Sequence, residues 1–152
     1  MASELKTTLG LGQGLTVLTG RAGVGKTKTL VDIGRAFQDA GVPVLLINTD
    51  EGSTALQQRF PDITFQCVLR ITWNGVDRLI RAAPAGSAVL IDGAQLLRMP
   101  TPDHDEIAVF RTWLDKTAGY ASGKPLYLVA TTQAPRTGRG LRLPYPTIEL
   151  TG

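Results

Sequence analysis

Apolar residues along the chain fall into short continuous runs separated by segments with helical spacing. The runs predict strands over residues 15–19, 44–47 and 88–91, a weaker one over 64–69, and a fifth over 126–130. Between them, residues 26–40 place Leu30, Ile33 and Phe37 on one helical face, and Gly41-Val42-Pro43 ends that helix. A short helix is expected over 53–60. Asn74 can cap a helix carrying Val76, Leu79 and Ile80 that stops at Pro84. Thr101-Pro102 offers a cap and a first-turn proline before a helix with Ile107, Phe110, Leu114 and Ala118 on one face. Pro135, Gly138, Gly140, Pro144 and Pro146 then predict a loop, followed by a short edge strand near 147–150. Strands alternating with helices argue for parallel βαβ units and a three-layer αβα sandwich, and 152 residues suffice for one such domain.

The junction between the first strand and helix carries the most specific chemistry. Gly20-Arg21-Ala22-Gly23-Val24-Gly25-Lys26-Thr27 spells G-x-x-x-x-G-K-[ST], the phosphate-binding loop. Its glycines let the backbone turn N–H groups inward around phosphate oxygens, and the loop ends at a helix N-terminus, where the dipole favours anions. Lys26 supplies a mobile charge for the β- and γ-phosphates, and Thr27 a hydroxyl for Mg²⁺; Lys28 completes the candidate nucleotide-binding stretch. The bland alternative is a glycine-rich turn opening an ordinary βα unit. With strand and helix in place on either side, nucleotide binding is the expectation.

In doubly wound sheets ligands sit beyond the carboxyl ends of the strands. Asp92 follows four apolar residues there and is expected to hold Mg²⁺ directly or through water, against a turn-forming role before Gly93. After the second strand come Asn48-Thr49-Asp50-Glu51. Glu51, one of only four glutamates, is the candidate to polarise a water beside the γ-phosphate; Asp50 is its rival, and either can instead cap the following helix. After the fifth strand, Thr131-Thr132-Gln133 offers in Gln133 an amide able to hydrogen-bond the γ-phosphate, or simply a polar strand end facing solvent. His104, the one histidine, reads as a solvated side chain, and Cys67 as a packed strand residue.

The net charge of +3 is modest, but no acidic residue occurs between Lys116 and Glu149, and Arg136, Arg139 and Arg142 lie in that stretch. No run is apolar enough to span a membrane, the N-terminus lacks the apolar core of a secretory signal, and a lone cysteine makes no internal disulfide, so the default is a reducing cytoplasm.

Together these segments resemble the RecA-like ATPase core, especially its RadA/Sms and KaiC branch, with replicative-helicase motor domains somewhat further off. Residues 14–20 running into Gly25-Lys26-Thr27 are similar to the family's entry into the phosphate loop. Leu45-Leu46-Ile47-Asn48-Thr49-Asp50-Glu51-Gly52 resembles the strand ending in two acidic residues, the second implicated in catalysis. Ile91-Asp92-Gly93-Ala94-Gln95 resembles the branch's isoleucine-aspartate segment, and Thr132-Gln133 the strand end bearing a γ-phosphate-sensing glutamine. The resemblance implies ATP hydrolysis with Mg²⁺, and a sheet ordered as the 64–69, 44–47, 88–91, 126–130 and 15–19 strands, with the 147–150 strand outermost. It also implies that the loop after Gln133 contacts single-stranded DNA through Arg136, Arg139 and Arg142, or lends Arg136 or Arg139 to a neighbouring subunit as an arginine finger. A solvated basic segment is the plain alternative.

The chain has no zinc-binding segment of the RadA/Sms kind, and nearly all the strands that extend the family's sheet are missing, so a minimal motor core is expected. Its assembly into a homo-oligomer, as hexamer or filament, is left open. The leading expectation is an ATPase coupled to DNA transactions, helicase-like or recombination-related. A small-molecule or nucleoside kinase is the rival, weakened because only Arg98 and Arg111 lie between Asp92 and Lys124 to build an arginine-rich lid. A nucleotide-dependent regulator acting through a partner protein is the third.

Overall fold

The computed structural model describes residues 13–20, 25–49, 53–70, 72–93, 106–133 and 146–150. Strands β1 (Gly14–Gly20), β2 (Val44–Asn48), β3 (Gln66–Leu69), β4 (Ala88–Asp92), β5 (Tyr127–Gln133) and β6 (Thr147–Glu149) alternate with helices α1 (Lys26–Asp39), α2 (Ser53–Arg59), α3 (Trp73–Ala82) and α4 (Glu106–Gly123). All six strands pair in parallel in the order β3-β2-β4-β5-β1-β6. This is the order implied by the resemblance.

Alternation along the strands sends side chains to two cores. Leu15, Val17, Ile47, Val89, Ile91, Leu128 and Ala130 pack with Trp73, Val76 and Ile80 of α3 and Trp113 and Leu114 of α4. On the other face, Leu18, Leu46, Leu90 and Val129 pack with Leu30, Val31, Ile33 and Phe37 of α1 and Leu56 of α2. Helices on both faces of a parallel sheet make the three-layer αβα sandwich, and bury the continuous apolar runs on both sides. Cys67 is buried in the α1–α2 core, as expected of packing.

Three local expectations are corrected. The cap of α3 is Thr72, not Asn74: its hydroxyl accepts a 3.1 Å bond from the Gly75 N–H, and Asn74 lies inside the first turn. Starting the helix at Trp73 delivers that ring to the core, 9% exposed. The second correction concerns β5, which continues three residues beyond Ala130. Thr131 and Thr132 are strand residues, buried between β4 and β1, and Gln133 is the strand's last residue and not part of a following turn. Finally, the buried face of α4 includes Trp113 and Thr117 beside the expected Leu114, because the helix meets α3 as well as the sheet. The side chains of Ile107 and Phe110, and residues 101–105 with the expected cap and His104, lie outside the described residues.

Candidate nucleotide-binding site

The phosphate-loop sequence runs from Gly20, the last residue of β1, to α1, which begins at Lys26. Gly25 stands at the N-cap with φ 96° and ψ 30°, a left-handed conformation that strains any residue with a Cβ. Its conformation turns the chain directly into the helix without a side-chain cap, so the first N–H groups of α1 remain directed at the loop. Arg21, Ala22, Gly23 and Val24 lie outside the described residues.

Lys26 donates from Nζ to the Gly20 carbonyl oxygen at 2.6 Å, closing the loop's two ends on each other. Burial holds its ammonium below the ordinary lysine pKa, and the nearby Asp92 carboxylate partly offsets that effect. A partly desolvated ammonium next to a helix N-terminus is a strong attractor for phosphate oxygens. Lys28, by contrast, is solvent-exposed and pairs with Asp32 at 3.7 Å one turn along α1. That pairing directs it along the helix surface, and its expected part in the site has no contact to support it.

Asp92 ends β4 on the α1 side of the sheet, in alternation with Leu90. Its Oδ2 accepts from the Thr27 hydroxyl at 2.8 Å and from Asn48 Nδ2 at 3.2 Å. Its Oδ1 accepts from the Thr131 hydroxyl at 2.9 Å. Thr27 and Asp92, 65 residues apart in sequence, are thus brought together by the packing of α1 on β4. The carboxylate is held by three donors from three elements.

The turn leaving β4 is tied down as well. Gly93, with φ 74°, takes the left-handed turn for which a glycine is suited, and its N–H donates to Thr131 Oγ1 at 2.7 Å. The Thr49 hydroxyl lies 3.0 Å and 2.9 Å from the carbonyl oxygens of Asp92 and Gly93. The chain therefore leaves β2 toward Asp50 and Glu51 alongside the Asp92 strand end. Asp50 and Glu51 themselves, and Arg136, Arg139 and Arg142, lie outside the described residues. Gln133 is paired in register with Gly20, the first loop residue.

A hydroxyl and a carboxylate make a hard oxygen set, suited to Mg²⁺ that keeps several waters and takes phosphate oxygens from the substrate. Among the described residues no group of three or more His, Cys, Asp or Glu side chains is placed to cage a metal, which fits that kind of shared site better than a transition-metal centre. Thr27 and Asp92 therefore fit an implied Mg²⁺. Sequence reasoning missed Asn48 and Thr131: each is polar at the end of an apolar strand, and only the strand register places them on either side of Asp92.

No family model matches the chain, and no curated protein matches it. Among solved structures, it is similar to the ATPase domain of a replicative helicase, with TM-score 0.58 and 17% identity over 81% of this chain and 58% of that one. It is also similar to a DnaB-like replicative helicase, solved in a study of its interactions with primase, with TM-score 0.63 and 13% identity over 81% of this chain and 39% of the other. The chain therefore spans less than two thirds of the length of either. These likenesses establish the fold as that of RecA-like helicase ATPase domains. Among the described residues no helix is long and apolar enough to cross a membrane.

Proposed function

We propose that this chain is a single RecA-type ATPase domain that binds and hydrolyses ATP with Mg²⁺ and couples turnover to DNA transactions of the helicase or recombination kind. The observation that carries the reading is the meeting of Lys26, Thr27 and Asp92 at the N-terminus of α1, on the sheet order of that fold. Residues 20–27 cradle the phosphates through backbone N–H groups, and Lys26 neutralises the charge that builds between the β- and γ-phosphates. Thr27 and Asp92 hold Mg²⁺, which when bound offsets phosphate charge and orients the triphosphate. Glu51, two residues beyond the anchored Thr49, polarises the attacking water, and Gln133 senses the γ-phosphate at the strand end beside Gly20.

Arg136, Arg139 and Arg142 follow that sensor and contact single-stranded DNA through its phosphates, giving salt-sensitive and sequence-indifferent binding. In a homo-oligomer the same loop would reach a neighbouring subunit, and a cytoplasmic setting suits the lone, buried Cys67. The deciding experiment is phosphate release from ATP with and without single-stranded DNA. Mg²⁺-dependent release stimulated by DNA supports the reading. Release unaffected by DNA removes the DNA coupling, and transfer of phosphate to an added acceptor without release replaces the ATPase with a kinase.

A further inference from the structure

Across the carboxyl ends of three adjacent strands, the side chains on the α1 face change from apolar to polar in one row. Asn48 is in register with Asp92, and Thr131 stands one position beyond the last paired residues of β4 and β5, Ile91 and Ala130. Thr131 is fully buried and Asn48 only 3% exposed. A hydroxyl in such a place is costly unless both its donor and its acceptor capacity are used. Thr131 uses both: it donates to Asp92 Oδ1 at 2.9 Å and accepts from the Gly93 N–H at 2.7 Å. Its hydroxyl hydrogen has one direction left once the Gly93 N–H occupies a lone pair, and that direction is the Asp92 carboxylate.

The two carboxylate oxygens are consequently unlike. Oδ1 is engaged by the sheet interior, whereas Oδ2 meets Thr27, the hydroxyl at the start of α1. We propose that Thr131 is a positioning residue that anchors Asp92 through Oδ1 and the backbone of Gly93, so that Oδ2 is the oxygen presented to Mg²⁺ beside Thr27. The inference rests on the nucleotide-binding reading and deepens it. Thr131 touches neither nucleotide nor metal; it acts by removing the rotational freedom of Asp92, as outer partners of metal ligands do. A threonine kept only for strand preference would be replaceable by valine, which has the same shape and the same branching at Cβ.

The test is binding of a fluorescent ATP analogue (mant-ATP) to the full chain, measured in EDTA and over a Mg²⁺ titration, for the natural protein, Thr131→Val and Thr131→Ser. Valine should raise the half-saturating Mg²⁺ concentration by about 10-fold or more, the scale for losing an outer partner of a metal ligand. Affinity in EDTA should stay unchanged, because the phosphate loop is intact. Serine, which keeps the hydroxyl, should restore the natural Mg²⁺ response. A valine protein with the natural Mg²⁺ midpoint overturns the positioning role while leaving nucleotide binding standing. A natural protein whose nucleotide affinity ignores Mg²⁺ overturns the metal assignment itself and this inference with it. Affinity falling equally in EDTA and Mg²⁺, unrescued by serine, assigns Thr131 to packing and also overturns the proposal. Should valine prevent folding, Thr131→Ala, which adds no methyl beside Gly93, decides by the same midpoint.

Discussion

Asp92→Asn changes one oxygen to an NH₂ at a position where the three side-chain partners Thr27, Asn48 and Thr131 are all donors. Neither orientation of the new amide satisfies them. With nitrogen in the Oδ2 position, it faces the Asn48 NH₂, and Thr27 must turn from donor to acceptor. With nitrogen in the Oδ1 position, Thr131, already accepting from Gly93, must accept a second time and give up its own donation. One buried polar partner is lost either way, at about 1–3 kcal/mol. For a domain of this size that corresponds to a melting temperature lower by roughly 2–12 °C. The effect on nucleotide is separate. Loss of the charge should bring the ratio of mant-ATP affinities with and without Mg²⁺ close to one, from about 10-fold or more in the natural protein, a change of about 1.4 kcal/mol. Melting curves in EDTA and paired titrations in EDTA and Mg²⁺ separate the two effects. A variant that melts lower yet keeps the full Mg²⁺ response would refute the metal role and leave Asp92 a structural carboxylate.

Lys26→Ala should abolish phosphate release and greatly weaken nucleotide binding while the circular dichroism stays native, since the Lys26 ammonium bonds the Gly20 carbonyl at the loop's own edge and serves charge, not core packing; unchanged turnover defeats the assignment. Glu51→Gln should keep ATP binding and slow hydrolysis by about 10²-fold or more, the scale of losing a general base; if Asp50→Asn is the crippled variant and Glu51→Gln is active, the catalytic carboxylate is Asp50. Replacing Arg136, Arg139 and Arg142 together with alanine should weaken single-stranded DNA binding with basal ATPase little changed, whereas lost turnover that depends on protein concentration indicates an arginine finger. Burial, aided by its bond to Asp77, pushes the Tyr120 hydroxyl up to about 12 from an ordinary value of 10.0. The folded state thus keeps a proton that the unfolded chain loses first, so this stabilisation is complete below pH 10.0 and disappears as pH rises through about 12. The stability gap between the natural protein and Tyr120→Phe should close over that window in urea melts; a gap that stays constant disposes of the linkage.

The elements that local pattern can specify were legible in the chain. Continuous apolar runs marked the central strands because a parallel sheet covered on both faces has no polar side to alternate with. The phosphate loop was legible because its chemistry needs glycines, a lysine and a hydroxyl at fixed spacing within one turn. The order of the strands followed from resemblance, since nothing in a run such as residues 44–47 names its neighbours. Thr131 and Thr132 looked like the exit from a strand; flanked by β4 and β1, their backbone groups stay in the ladder and their polarity is absorbed by side-chain partners. Thr72 became the cap of α3 because burial of Trp73 sets where that helix begins. The clamp on Asp92 is wholly tertiary. Asn48 and Thr131 lie 44 and 39 residues from it, and only the register of β2, β4 and β5 aligns their polar ends. That register is imposed by two cores packed at once against α1–α2 and α3–α4, because a slip of one residue would exchange every side chain between the two faces.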